Sequence, residues 1–133
     1  MNGTIETKLS GRTLHLRYTM QALFEAAEHF GGEGKAMEAL SKEGKEGFEA
    51  FRFWLVLLSR AGEKRRREDG EKMQEYLRES EVTADMTPGE YLAAKQAVID
   101  AINAGYRRQE DDPEQEVDLT LMEIEEKKER AGA

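Results

Sequence analysis

Alternating apolar and polar side chains at the start of the chain predict a β-hairpin. Apolar residues alternate with polar ones in 5–9 and again in 14–16, and the Ser-Gly-Arg triplet at 10–12 is typical of a turn. An isolated hairpin is only marginally stable in water. We therefore expect this hairpin to pack on an apolar surface formed by the rest of the chain.

Helical spacing dominates the chain after the hairpin. Thr19 can cap a first helix, and Gly31 and Gly32 end it. Its apolar residues recur at intervals of three and four, as on one face of a helix. That predicted buried stripe comprises Met20, Leu23, Phe24, Ala27 and Phe30. A short helical piece lies around Met37, and the glycines at 44 and 47 predict a break before the longest helix, expected over 48–68.

The last predicted helix has a well-defined start. Residues 82–86 are expected to form a loop, after which Thr87 can cap a helix, Pro88 occupies its first turn, and Glu90 can close a capping box. Gly105 ends the helix. The elements together predict a mainly α fold of four or five helices with the small N-terminal hairpin packed on them.

The segment FEAFRFWLVLLSRAG is the most apolar part of the chain and is apolar nearly all round. Such a helix is either the centre of a core or is covered by another chain. Both interpretations remain open, because exposed aromatic residues are also common anchors at interfaces. If one face meets a partner, a folded Trp54→Ala variant should lose that partner. The candidate contact residues are Phe48, Phe51, Trp54, Leu55 and Leu58.

Charge divides the chain into two parts. The net charge of the 133 residues is −8, and 110–133 carry 10 acidic and 3 basic residues, which is −7 of that total. We expect a single α-rich domain over 1–109 and a flexible acidic segment over 110–133. Leu119, Leu121 and Met122 lie within the acidic residues, so this segment is either a solubilising extension or a second partner-binding site.

Composition offers little for catalysis. The chain has no cysteine and two histidines, His15 and His29, for which structural or surface roles are expected. The GGEGK sequence at 31–35 lacks the first glycine and the Ser or Thr of a phosphate-binding loop. We predict no catalytic, metal or cofactor site. With no apolar run near 18–20 residues and no leader pattern, we expect a soluble cytoplasmic protein.

The basic cluster Lys64–Arg67 could contact phosphates. Acidic residues flank it at helical spacing, and the chain as a whole is acidic, so a solvated helix face is favoured over a nucleic-acid site.

The order of these parts resembles the tail assembly chaperones of long-tailed bacteriophages and prophages, especially those from Gram-positive hosts. The resemblance rests on the N-terminal strand pair, the ALFE…FG helix at 22–31, the aromatic helix at 48–58, the TPGE helix start at 87–90, and the EVDLTLMEIEEKK ending at 116–128. It is a likeness of layout over most of the chain rather than of one diagnostic motif.

This resemblance implies a non-enzymatic protein that binds the tape measure protein before the tail tube forms, helps recruit tail tube subunits, and is absent from the mature virion. A second copy of the chain is a further candidate partner. Two other functions remain open: a small acidic regulator or adaptor that binds a host or phage protein, and a weak nucleic-acid contact through Lys64–Arg67.

Overall fold

The computed structural model describes residues 3–107, in which five helices follow a two-stranded antiparallel hairpin. This confirms the mainly α fold class. No helix within 3–107 has both the length and the hydropathy needed to cross a bilayer. The elements are β1 (Ile5–Leu9), β2 (Arg12–Leu16), α1 (Met20–Phe30), α2 (Glu33–Leu40), α3 (Gly44–Glu68), α4 (Glu79–Asp85) and α5 (Pro88–Gly105).

The hairpin packs on the helices, as its alternation predicts. Its register pairs Ile5 with Leu16. Leu14 and Leu16 of β2 point inward and belong to the core. β2 lies on α3 and β1 on α5. The backbone N–H of Arg17 donates to the Leu58 carbonyl over 3.1 Å, and this bond joins the end of β2 directly to α3. The apolar face of the hairpin is thereby removed from water.

α3 is the central element of the core. Trp54 is fully buried, and its Nε1 donates to the Ala36 carbonyl of α2 over 3.1 Å. The Trp54 ring centroid lies 5.6 Å from that of Tyr18, at the junction between β2 and α1. One side chain of α3 therefore contacts both α2 and the β2–α1 junction, and its polar N–H is satisfied.

Two of the predicted boundaries are wrong. α3 begins at Gly44 rather than at Phe48, since Gly47 lies inside the helix and allows its backbone to approach the Lys42 carbonyl. A Cβ at Gly47 would lie 1.9 Å from that oxygen. A loop was predicted over 82–86, but residues 82–85 belong to α4, which spans Glu79–Asp85, and Met86 follows the helix. Val82 is fully buried there, and Glu81 accepts from the Arg78 backbone N–H over 2.8 Å, which supports the first turn.

α1 is rotated relative to the predicted stripe. Thr19 Oγ1 accepts from the Ala22 N–H over 3.2 Å and Gly31 ends the helix with φ of 92°, so both predicted ends are confirmed. However, Met20 and Phe24 are 61% and 60% exposed. The buried residues are Ala22 and Ala26. Small side chains on this face let α1 lie close against its neighbours, while Leu23 and Phe30 of the predicted stripe pack against the core from its edge.

Candidate functional site

The predicted contact face of α3 lies inside the protein. Four of its five residues have no exposed surface and belong to the core cluster, namely Phe51, Trp54, Leu55 and Leu58. The fifth, Phe48, is half-buried and packs its ring 5.4 Å from that of Tyr91. These four side chains therefore offer no surface to a partner in this structure. The second predicted site, Leu119, Leu121 and Met122, lies outside the described residues.

An apolar groove lies between α2 and α5. It encloses about 270 Å³, and most of the surface that lines it is apolar. Met37 is partly exposed in it, and Ile99 is half-buried. We call this site the α2–α5 groove, and its lining residues are Met37, Leu40, Ser41, Lys95, Ile99, Ile102 and Asn103.

The apolar surface continues along α5 beyond the groove. Leu92 lies seven residues before Ile99, which puts both on one face of the helix, and Leu92 is 70% exposed. Lys95 lies between them with its Nζ 5.8 Å from the Tyr91 ring centroid. The sequence places Leu92 and Ile99 on an apolar stripe beside that of Ala94, Val98 and Ile102, but neither was among the predicted contact residues. The signal that marks them is that Ala94, Val98 and Ile102 already supply the buried face of α5.

The outer face of α1 presents a second apolar patch. Met20 and Phe24 are four residues apart, so their side chains are neighbours on the helix surface. Neither residue lines the α2–α5 groove. Large exposed hydrophobic side chains grouped in this way are typical of interaction surfaces, whereas single exposed ones are common on any protein.

A groove of different character separates α1 from α3. We call it the basic groove; it encloses about 300 Å³, and four cationic and two anionic side chains line it beside an apolar floor of Ala22, Leu57 and Ala61. Arg60 pairs with Glu25 over 3.4 Å. Burial, and then the nearby charge of Arg65, lower the pKa of Arg17. The charged lining residues are Arg17, Glu25, Arg60, Lys64, Arg65 and Glu68.

The structure divides the Lys64–Arg67 cluster that the sequence singled out. Lys64 and Arg65 line the basic groove. Arg66 instead pairs with Glu63 and Glu71, each over 3.0 Å. The four cations therefore do not form one continuous surface for a phosphate backbone.

Both histidines lie in structural contacts. His15 Nδ1 is 3.2 Å from Oε2 of Glu63, a carboxylate that is 2% exposed. Burial by itself raises the pKa of Glu63, but hydrogen bonds from the Gln74 backbone and side chain, together with Arg66, outweigh it and lower that pKa. The His29 ring stacks on Phe53 with 3.9 Å between centroids. Within residues 3–107, no three His, Asp or Glu side chains cluster as metal ligands.

Comparison with known proteins identifies no relative from which a family or function could be assigned. No family model, curated protein or solved structure matches the chain. The surfaces that the described residues offer to a partner are the α2–α5 groove, the outer face of α1 and the basic groove.

Proposed function

We propose that this protein is a non-enzymatic tail assembly chaperone of a long-tailed bacteriophage or prophage, acting in the cytoplasm of the bacterial host and absent from the mature virion. It binds the tape measure protein and helps recruit tail tube subunits. The observation that carries the proposal is the α2–α5 groove and its continuation to the exposed Leu92, because it gives a small protein an unfilled apolar surface.

The shape and chemistry of this surface suit a helical client. An amphipathic helix presents apolar side chains at intervals of three, four and seven residues, which fill a groove formed by two other helices. Met37 suits such a contact since its unbranched, polarisable side chain adapts to irregular partners. A long helical protein exposed before its tube forms needs its apolar stripe covered, and the groove has the matching chemistry.

Recruiting a second protein requires a second surface. The outer face of α1, with Met20 and Phe24, is apolar and shares no residue with the α2–α5 groove. In this proposal the groove holds the tape measure protein, and the outer face of α1 contacts the tail tube protein. Charge substitutions on the two surfaces should then have separate effects.

The test is co-purification of the full chain with the tape measure protein of the same phage or prophage genome. Leu92→Glu places a charge on the exposed continuation of the groove along α5, where the fold should tolerate it. We expect it to reduce recovery of the tape measure protein by about tenfold, equivalent to about 1.4 kcal/mol. Phe24→Glu is the matched control, because it adds the same charge at a similarly exposed apolar residue on α1. Wild-type recovery by folded Leu92→Glu would contradict the groove assignment.

An acidic regulator or adaptor that binds a different host or phage protein would use the same apolar surfaces. In that case Leu92→Glu would lose that other protein while the tape measure protein would not be recovered with the wild type. A nucleic-acid contact through Lys64–Arg67 is less well supported, since Arg66 is committed to Glu63 and Glu71. Retention on DNA at low salt, lost steeply as salt rises, would favour it.

A further inference from the structure

The basic groove has a local excess of positive charge. Its lining includes Arg17, Arg60, Lys64 and Arg65 against two carboxylates, Glu25 and Glu68, whereas residues 1–109 are nearly neutral, since 110–133 carry −7 of the net charge of −8. Lys64 is exposed and, among residues 3–107, makes no ion pair. Like charges placed together at the mouth of a groove favour an anionic occupant.

The apolar floor of the groove indicates which kind of anionic ligand would fit it. Leu57 and Ala22 are buried, so Ala61, which is half-buried, is the floor residue that the groove leaves accessible. A small inorganic anion would contact the cations and leave Ala61 uncovered. A peptide that alternates carboxylates with apolar side chains would cover both.

Such a peptide exists in this chain. Residues 110–133 carry 10 acidic side chains, and between them lie Val117, Leu119, Leu121 and Ile124. The charge complements that of the groove, and the apolar residues complement its floor.

The end of α5, from which the acidic segment continues, lies near the basic groove. A Cβ at Gly105, the last residue of α5, would lie 2.9 Å from the Tyr18 side chain, and the Tyr106 ring is 5.7 Å from that of Tyr18. Tyr18 is flanked by Arg17 and Thr19, which both line the groove. Val117 lies ten positions after Arg107, and an extended chain of that length spans about 33 Å. The acidic segment can therefore reach the groove.

We propose that the basic groove is the docking site of the chain's own acidic segment, residues 110–133, with its carboxylates beside Lys64 and Arg65 and its apolar residues over Ala61. This inference is independent of the proposed function. Docking within one chain gains a high effective concentration from the short connection to α5, so weak contacts suffice.

Carbodiimide coupling of the full chain tests the proposal, because it joins a lysine Nζ only to a carboxylate in direct contact. We expect peptides that join Lys64 to residues 110–129 to exceed those from Lys72 by about tenfold. Lys72 is the matched control, since it is exposed, lies on the same stretch of chain and does not line the groove. Equal coupling at Lys64 and Lys72 would overturn the proposal.

An equal mixture of unlabelled and ¹⁵N-labelled protein distinguishes the possible occupants. Docking within one chain gives Lys64 products of uniform label. Products of mixed label would instead show that the segment of a second copy occupies the groove, which overturns docking within one chain.

A variant that retains Lys64 provides the second test. Arg65→Glu removes a groove cation whose only ion pair among the described residues is the exposed one to Asp69, at 3.3 Å, so the fold should tolerate it. We expect coupling at Lys64 to fall to the level of Lys72. Salt at about 0.5 M, where charges are screened over roughly 4–5 Å, should have the same effect. Coupling unchanged in the folded variant would overturn the proposal.

Discussion

Glu63 is a charged residue inside the protein that is stabilised by hydrogen bonds from three parts of the chain. Its Oε1 accepts from the Gln74 N–H over 2.8 Å and pairs with Arg66, while its Oε2 faces His15 and the Gln74 side chain. Gln74 Nε2 also donates to the Thr13 carbonyl over 2.8 Å. One carboxylate therefore holds both β2 and the chain that follows α3 against the helix.

The lowered pKa of Glu63 predicts a pH dependence of stability. Burial raises this pKa, but the hydrogen bonds outweigh burial and leave it below its ordinary value of 4.5. A carboxylate whose pKa is lower in the folded state stabilises the fold above its unfolded pKa, and this contribution is lost as pH falls through the folded pKa. We expect urea denaturation to show the free energy of unfolding decreasing from pH 6 toward pH 3.

Glu63→Gln separates this carboxylate from the other acidic residues. The amide N–H groups would face the Gln74 and Arg66 donors, so we expect a loss of about 1–3 kcal/mol at pH 6. The variant should also lose less stability than the wild type between pH 6 and pH 3. Glu49→Gln is the control, because Glu49 is exposed and makes no ion pair within 3–107. The prediction is wrong if the two variants show the same pH dependence.

At the scale of helices and strands, the sequence correctly predicts the element ends that depend on hydrogen bonds between residues close in the chain. Thr87 Oγ1 accepts from the Glu90 N–H over 3.1 Å and Glu90 Oε1 accepts from the Thr87 N–H over 3.0 Å, as the capping box predicts. The hairpin turn and the ends of α1 are likewise local. α4 was missed because its stability depends on the buried Val82 and on contacts with α3, which spacing along seven residues does not reveal.

The glycines of α3 show the same limitation. Gly47 was expected to break the helix, yet it lies within α3, and at both Gly47 and Gly62 another part of the backbone approaches the helix closely. The local sequence around a glycine does not show whether the glycine ends a helix or lets another backbone pack closely against it. Only the tertiary contact distinguishes the two cases.

Gly62→Ala tests the contact between β2 and α3. A Cβ at Gly62 would lie 1.7 Å from the His15 carbonyl oxygen, which is a backbone atom and cannot rotate away. We expect the displaced strand to cost about 2–4 kcal/mol, measured by urea denaturation. Gly34→Ala in α2 is the matched control, because no atom lies within 4 Å of its Cβ position. That variant should be neutral or more stable by up to about 1 kcal/mol. Equal stability of the two variants would contradict the close packing.

At the scale of the whole molecule, burial decides which apolar residues can serve a partner. The richest apolar segment of the sequence supplies the core, while the exposed large apolar residues of the described chain lie on α1, α2 and α5, apart from Tyr76 between α3 and α4. Sequence pattern identifies apolar helix faces, but it does not show which face is covered when a helix is apolar nearly all round. This is why α3 was a candidate contact element and why Leu92 and Met37 were not selected.

Trp54→Ala is now a test of the core rather than of a contact surface. Truncation removes a fully buried ring and leaves the Ala36 carbonyl without its donor, so we expect a loss of about 3–5 kcal/mol. That is a large part of the roughly 5–15 kcal/mol that stabilises a small domain, and it should lower Tm by about 15–30 °C. Far-UV circular dichroism measures this, since the chain has a single tryptophan and the variant has none.

Two comparisons make the Trp54→Ala result decisive. Trp54→Phe keeps a ring beside Tyr18 and should recover part of the lost stability, whereas Leu92→Ala, at a position that is 70% exposed, should change it by less than about 0.5 kcal/mol. Loss of a partner by Trp54→Ala would then report unfolding, while loss by folded Leu92→Glu would report contact. A Trp54→Ala variant that melts at the wild-type temperature would contradict the position of this residue at the centre of the core.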